Sequence, residues 1–136
     1  MPLVSRKGIL AIAAVIDVAV NARNGPVSAK ALAARHKLPP RHLEPVLQAL
    51  VRDGILKGIR GPHGGYALGR ERRRISADDI LRAAGSAEEL SDQLLPASLL
   101  VNGVVRPALA EAERRFSAAL TRINVEDMAR RAEALK

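Results

Sequence analysis

The sequence has no cysteine and very few aromatic residues. Tyr66 and Phe116 are its only aromatic side chains in 136 residues, and tryptophan is absent. Without cysteine there can be no disulfide and no thiolate ligation of zinc or of an iron–sulfur cluster. The scarcity of aromatics argues against a platform that stacks single-stranded bases. With 48% hydrophobic residues a core is still possible, and Leu, Ile, Val and Ala must build it, which favours close-packed helices.

Long hydrophobic runs are also missing. The most apolar stretch, Gly8–Val20, follows Arg6 and Lys7 and so has the look of a secretory signal, but Asp17 interrupts it and no convincing cleavage pattern follows. It is shorter than the roughly 20 apolar residues that cross a bilayer. We therefore expect a buried first helix in a soluble, cytoplasmic protein that has no membrane partner.

Motifs of catalysis and of cofactor binding are not recognisable. The three histidines, His36, His42 and His63, do not have a spacing that promises a metal site. The glycines of Gly61–Gly65 lack the lysine and the strand-to-helix setting of a phosphate-binding loop. We predict neither an enzyme nor a bound cofactor or metal.

Acidic residues are scarce in the first part of the chain. Residues 1–85 hold 15 Lys/Arg against 6 Asp/Glu, a net charge of +9, whereas residues 86–136 hold 7 against 8, a net charge of −1. The overall charge is +8, with a pI near 11.0. A strongly basic part beside a neutral one indicates an anionic partner for residues 1–85, although a generic solvated surface is the simpler alternative.

Apolar residues at steps of three and four predict three helices in the basic part. The expected helices cover about residues 6–22 after the N-cap Ser5, about 29–36 after the N-cap Ser28, and about 40–53 with Leu43, Val46, Leu47 and Leu50 facing the core. Pro45 falls near the first full turn of the third helix and predicts a late or distorted start. Helices two and three, joined by a short turn, form a helix-turn-helix.

A glycine-rich turn with basic residues follows the third helix. The stretch Arg60–Tyr66 (RGPHGGY) separates two short apolar runs, which predict strands over Ile55–Ile59 and Tyr66–Gly69. Helix, turn, helix and then a basic hairpin is the layout of a winged helix, a fold that mostly binds DNA. Ser76 is the expected N-cap of a further short helix over residues 77–84.

The C-terminal part contains a long amphipathic helix. We predict a winged helix-turn-helix domain over residues 1–85, a linker or effector loop over 86–103, and over 104–136 a dimerisation helix followed by a short helix capped by Asn124. The fold class is thus mainly α with a small β-wing. The long helix is expected to reach about residue 122. Its apolar seam indicates a homodimer and consists of Val105, Leu109, Ala112, Phe116, Leu120 and Ile123. The alternative is that this seam folds back on its own domain.

The loop over 86–103 is the expected place for a small-molecule or protein effector. Its apolar side chains either line a small-molecule site or pack against the dimer partner; they are Leu94, Leu95, Leu99, Leu100 and Val101.

Residues 5–84 resemble the Rrf-two family of bacterial winged-helix transcription regulators. The resemblance rests on Gly25–Ser28, on His42–Glu44, on Leu50–Gly54, on the wing Arg60–Tyr66 and on Ile75–Ala84. The long helix resembles the dimerisation region of the family more loosely. Well-known members hold three cysteines in the loop before that helix and bind an iron–sulfur cluster there. This chain has none, so its predicted function does not use a cluster.

The resemblance implies that the third helix enters the major groove of double-stranded DNA and that the wing reaches the minor groove. Residues expected to contact DNA are Arg41, His42 and Glu44 at base edges, Arg60 in the minor groove, His63 at phosphate, and Ser28 and Lys30 at the backbone. Glu44 matches the family's discriminating glutamate, or else it caps its own helix. Arg6, Lys7 and Arg72–Arg74 either lie near phosphates or are solvated.

These observations predict a sequence-specific, dimeric DNA-binding regulator that recognises an inverted-repeat operator and acts as a repressor. One alternative is an interaction module that docks on a partner protein through its winged-helix face, since some family members engage a metabolic enzyme. Another is sequence-tolerant binding that packages the chromosome.

Overall fold

The computed structural model describes residues 4–22, 25–85 and 98–135. Its elements, in chain order, are α1 (Arg6–Asn21), α2 (Ala29–Arg35), α3 (Pro40–Arg52), β1 (Leu56–Ile59), β2 (Gly65–Leu68), a 3-10 turn (Arg72–Arg74), α4 (Ala77–Gly85), a π-helical turn (Val101–Val105), α5 (Arg106–Thr121) and α6 (Val125–Ala134). The two strands pair antiparallel. The predicted fold class, mainly helical with a small β-wing and a long C-terminal helix, is confirmed. Leu94 and Leu95 of the predicted effector loop lie outside the described residues.

Four side chains begin helices as the sequence predicts. Ser5, Ser28 and Ser76 each accept a hydrogen bond at 3.0 Å from the backbone N–H three residues later, and Asn124 does so at 2.9 Å. Each of these bonds satisfies an N–H group that has no partner inside its helix. The N–H of Ser76 in turn donates to the carboxylate of Asp79 at 3.1 Å, and the two bonds form a capping box at the start of α4.

Helix α3 does not start late, contrary to one expectation from Pro45. It begins at Pro40 with Pro39 as its N-cap, and Pro45 lies inside it on the exposed side. The N–H of His42 donates to the carbonyl of Pro39 at 3.0 Å, an i to i+3 bond that tightens the first turn. The helix ends at Arg52, and Gly54, whose φ of 77° suits glycine, follows its C-cap; the N–H of Ile55 then donates to the carbonyl of Leu50 at 2.9 Å.

The core lies where α1, α3, α4 and α6 meet. The fully buried residues of α1 are small, for example Ala11 and Ala14, and they allow close approach of the larger Leu47, Leu50 and Ile80. Other buried core residues are Val15, Val18, Leu32, Leu43, Ile55, Leu56, Ile75, Val125 and Ala129. The core is aliphatic, as the scarcity of aromatics predicts.

The last helix is joined to the winged-helix body by a short backbone pairing. The N–H of Val125 donates to the carbonyl of Ile75 at 2.8 Å, and the N–H of Ala77 donates to the carbonyl of Ile123 at 2.7 Å. These bonds flank a bridge between Ser76 and Asn124, the caps of α4 and α6. The two helices therefore start side by side, and α6 packs on α1.

The long helix starts earlier than predicted. Leu99 and Leu100 are already helical, and the π-helical turn leads directly into α5, so residues 99–103 extend the helix rather than a loop. The C-terminal half of α5 contacts α4, where the Ser117 hydroxyl donates to Oδ1 of Asp78 at 2.7 Å. Within the described ranges no helix is both long and apolar enough to span a membrane.

Candidate nucleic-acid interface

An exposed polar ridge runs along the outer face of α3. Arg41, Glu44 and Gln48 follow each other at steps of three and four and are exposed, whereas Leu43 and Leu47 on the opposite face are fully buried. His42 is exposed on the flank of this ridge. An exposed amide and two charged groups on one helix face offer both donors and acceptors to a groove of DNA.

Glu44 does not cap α3. It is the fifth residue of the helix, the first turn contains no acidic residue, and Pro39 occupies the N-cap position. The sequence-based alternative that Glu44 serves its own helix N-terminus is therefore disfavoured. Gln48 was not predicted as a candidate, although its position one turn after Glu44 was a signal that could have revealed it.

The wing is fixed to the start of α2 by backbone hydrogen bonds. Val27 and Tyr66 form a bridge in which each N–H donates to the other's carbonyl, at 2.9 and 2.8 Å. Gly65 makes this close approach possible, because a Cβ atom there would lie 2.5 Å from the carbonyl carbon of Val27 and 2.8 Å from the nitrogen of Ser28. The wing and the N-terminus of α2 are therefore held in one fixed arrangement.

The structure brings some of the predicted contact residues together and separates others. Ser28 and His63 line the same open cleft between the start of α2 and the tip of the wing. Arg60 lines a different cleft, together with Val51 at the end of α3 and Tyr66. Lys30, His63 and Arg60 are exposed, and the hydroxyl of Ser28 is occupied as a helix cap.

Arg72 is a structural residue and not a free cation. Its side chain is only 19% exposed, with Nε 3.2 Å from Oε2 of Glu126 and Nη2 3.0 Å from Oε1 of Glu133. Nε is buried and its geometry toward Glu126 is not that of a hydrogen bond, so this contact is an ion pair alone. Arg72 thus ties the segment after the wing to α6, which excludes the expectation that it faces phosphate or solvent. Arg73 and Arg74 are exposed.

A buried carboxylate joins α1 to the end of α2. Asp17, with a side chain 7% exposed, accepts from Nη2 and Nε of Arg35 at 2.6 and 2.8 Å, and Nε2 of His36 lies 3.1 Å away. Asn21 donates to the same carboxylate at 3.0 Å. Burial alone raises the pKa of Asp17, but Arg35, followed by Asn21 and His36, outweighs it and holds that pKa below its ordinary value. This cluster positions α2, and its only sign in the sequence is the break that Asp17 makes in an apolar run.

The sequence profile of the Rrf2 family, described as iron-dependent transcriptional regulators, matches residues 4–131. The chain belongs to the Rrf2 family. The predicted resemblance is confirmed, and the match extends well beyond the winged helix, through α5 and most of α6.

Solved structures of the Rrf2 family support the same fold. IscR of T. potens superposes with a TM-score of 0.76 at 30% identity, over 99% of this chain and 91% of that one. CymR, the global cysteine regulator of B. subtilis, superposes with a TM-score of 0.72 at 28% identity, over 95% and 97% of the two chains. In sequence, this chain is 38% identical to the HTH-type transcriptional regulator CymR of Bacillus subtilis over 79 residues, which are 58% of this chain and 57% of that one. The matched segment spans about half the length of the curated relatives.

The donor atoms of this Rrf2-family chain do not fit the iron of the family description. The sequence has no cysteine to hold an iron–sulfur cluster. Among residues 4–22, 25–85 and 98–135, no three His, Asp or Glu side chains are grouped to hold a metal ion. We therefore derive no role for iron from these residues.

Proposed function

We propose that this Rrf2-family protein is a homodimeric, cytoplasmic transcription regulator that binds an inverted-repeat DNA operator and represses by blocking access of polymerase. The observation that carries the proposal is the exposed ridge of α3 beside a basic wing that is fixed to the start of α2. A rigid scaffold with exposed polar groups can read base edges without ordering a flexible loop first. It needs no iron–sulfur cluster.

The ridge of α3 is the proposed base-reading surface. Arg41 can present two donors to a guanine edge, Glu44 can accept from a cytosine amino group, and Gln48 can pair with an adenine edge. A carboxylate that faces DNA weakens non-specific attraction, so Glu44 favours selective over bulk binding. His42, on the flank, is in reach of a neighbouring base or of the backbone.

The wing and the start of α2 are the proposed backbone contacts. Arg60 is exposed on the wing and is proposed to enter a narrow minor groove, where negative potential is concentrated. His63 shares a cleft with Ser28, and the free N–H groups at the start of α2 can bind a phosphate there. Lys30, the second residue of α2, is exposed and adds a positive charge to the same surface.

The proposed dimer forms through the exposed apolar surface of the long helix. Leu99 is 91% exposed and Leu109 is 53% exposed, and Leu100, Val104 and Val105 between them are also exposed. A cluster of this kind on one helix indicates a protein interface. A second copy is the proposed occupant, because a two-fold dimer brings two α3 helices to successive major grooves, about 34–36 Å apart. Ala112 is exposed on α5 and Ile123 is exposed just after the end of α5, so both remain candidates for this interface.

Selection from a pool of random duplexes tests the DNA-binding proposal. We expect the protein to enrich one inverted repeat and Arg60→Ala to lose most of that enrichment. Arg114→Ala removes the same charge from the exposed surface of α5 and is the matched control, which we expect to behave as the wild type. Failure of the wild type to enrich any sequence at moderate salt would contradict the proposal and favour the protein-docking alternative.

Sedimentation of a charged variant tests the dimer separately. We expect Leu109→Glu to sediment as a monomer, because it buries a charge in the apolar interface. Ala108→Glu, at an exposed neighbouring position, is the control that keeps the dimer. A wild-type protein that sediments as a monomer at micromolar concentration would contradict the proposed homodimer.

A further inference from the structure

An apolar cleft between α1 and α6 is not used by the proposed DNA interface. Half-buried residues of both helices line it, namely Ala13, Ile16, Val20, Met128 and Ala132, and the exposed Leu135 lies at its rim. Its volume is about 510 Å³, within the range of sites that bind small organic molecules.

A positively charged side chain stands at the edge of this cleft. Arg131 on α6 lines it and is exposed, and within the part of the chain that the structure describes it forms no ion pair. Its neighbour Arg130 is different, because it pairs with Glu126 at 3.0 Å and does not line the cleft. Arg131 therefore has an open guanidinium beside an apolar surface.

The acidic group that borders the cleft does not oppose an anion there. Asp17 lines the cleft, but its carboxylate is already paired with Arg35 and lies within 3.1 Å of His36. The local charge left over is thus that of Arg131. An apolar cavity with one free guanidinium is complementary to a molecule that has an apolar body and one carboxylate. A phosphate monoester is a poorer match, since its second negative charge would have no partner.

We propose that the α1–α6 cleft binds a small aliphatic or aromatic monocarboxylate, whose apolar part fills the cleft and whose carboxylate pairs with Arg131. This site lies at a junction of the fold. His36 joins the cleft to the end of α2, while α6 is tied through Glu126 and Glu133 to Arg72, just after the wing. A ligand in the cleft would contact α6 and the end of α2, and these elements support the wing and the helix-turn-helix. We therefore also expect the ligand to change the affinity for DNA, an expectation that rests on the proposed function.

Calorimetric titration of the full chain without DNA tests the site, independently of any DNA binding. The probes are octanoate, decanoate and phenylacetate, with octanol as the uncharged counterpart of octanoate. We expect at least one carboxylate to bind at submillimolar concentration, and octanol to bind about tenfold more weakly than octanoate. Arg131→Gln should weaken carboxylate binding about tenfold, and Arg130→Gln should stay within about twofold of the wild type. Ala132→Leu should remove binding by filling the cleft.

Four results would overturn the proposal. No heat with any of the three carboxylates up to a few millimolar would exclude the site. Equal binding of octanol and octanoate, or equal effects of Arg131→Gln and Arg130→Gln, would exclude the pairing with Arg131. Unaltered binding by a folded Ala132→Leu variant would place the ligand elsewhere. A carboxylate that binds but leaves operator affinity unchanged would contradict only the link to DNA.

Discussion

Replacing Gly65 by alanine should break the junction between the wing and α2. The new Cβ atom would lie 2.5 Å from both the carbonyl carbon and the carbonyl oxygen of Val27, and 2.8 Å from the nitrogen of Ser28. All three are backbone atoms, so no side-chain rotation can relieve the contact. The wing must move away from α2, and the two hydrogen bonds between Val27 and Tyr66 must lengthen or break.

The size of the effect follows from these contacts. Overpacking of a tight site costs about 1–3 kcal/mol, and each lost backbone hydrogen bond costs about 0.5–1.5 kcal/mol. Because relaxation of the wing relieves part of the clash while it breaks the bonds, the terms are not fully additive. We expect the free energy of unfolding to fall by about 2–4 kcal/mol, a large fraction of the about 5–15 kcal/mol typical of a domain.

Urea unfolding followed by circular dichroism measures this loss, and Gly58→Ala is the matched control. Gly58 lies opposite Tyr66 in β1, and a Cβ atom there would meet no atom within 4 Å. We expect its unfolding free energy to stay within about 0.5 kcal/mol of the wild type. If the Gly65 and Gly58 variants proved equally stable, glycine would not be needed for the approach of the wing to α2. Under the proposed function, the Gly65 variant should also lose operator affinity.

Three further outcomes test the ion pairs and the DNA surface. Asp17→Asn should lower the unfolding free energy by about 2–3 kcal/mol at pH 7. Because folding lowers the pKa of Asp17, this loss of stability should be complete above about pH 4 and should shrink as the pH falls through the folded-state pKa. Urea unfolding at a series of pH values measures it, and the control Asp53→Asn should leave the free energy of unfolding almost unchanged. Arg72→Gln should cost about 1–3 kcal/mol in thermal unfolding, because it removes the partner of Glu133 and leaves Glu126 paired with Arg130 alone; equal stability of Arg72→Gln and the exposed Arg73→Gln would contradict its structural role. Operator affinity should fall about 10³–10⁵-fold between 50 and 200 mM salt if six to ten phosphates are neutralised, and a salt-insensitive binding curve would reject the proposed backbone contacts.

The elements of the fold were predictable because their signals are local. A serine or asparagine at an N-cap acts on an N–H group three residues away, and Gly54 ends α3 through its own backbone conformation. The turn of the wing is likewise predictable from seven consecutive residues, because three of them are glycines and one is proline. Such features need no knowledge of the rest of the chain, so helices, caps and wing could be placed from the sequence, with errors mainly at element ends such as the start of the long helix.

The ion pairs that fix these elements to one another were not predictable. Asp17 and Arg35 are separated by 18 residues, and Arg72 and Glu133 by 61. A run of three arginines in a polar segment is usually a solvated surface, and nothing local distinguishes the half-buried Arg72 from the exposed Arg73. Only the packing of α6 beside the segment after the wing, which depends on the whole core, decides which arginine meets a carboxylate.

The apolar seam of the long helix shows the same limit for the candidate interface. Periodicity predicts that Leu109, Phe116 and Leu120 share a face, but it cannot tell which body covers that face, because a domain's own core and a second subunit select the same residue types. In the structure, Phe116 and Leu120 are half-buried and line a cleft with Gly8 and Leu81 of the same chain, whereas Leu109 is exposed. The fold-back alternative thus fits Phe116 and Leu120, and under the proposed function the seam residues open to a second copy are Val105, Leu109 and Ala112 before them and Ile123 after them. A change at Phe116 must therefore affect folding as well as assembly, and Leu109 is the position at which assembly can be tested alone.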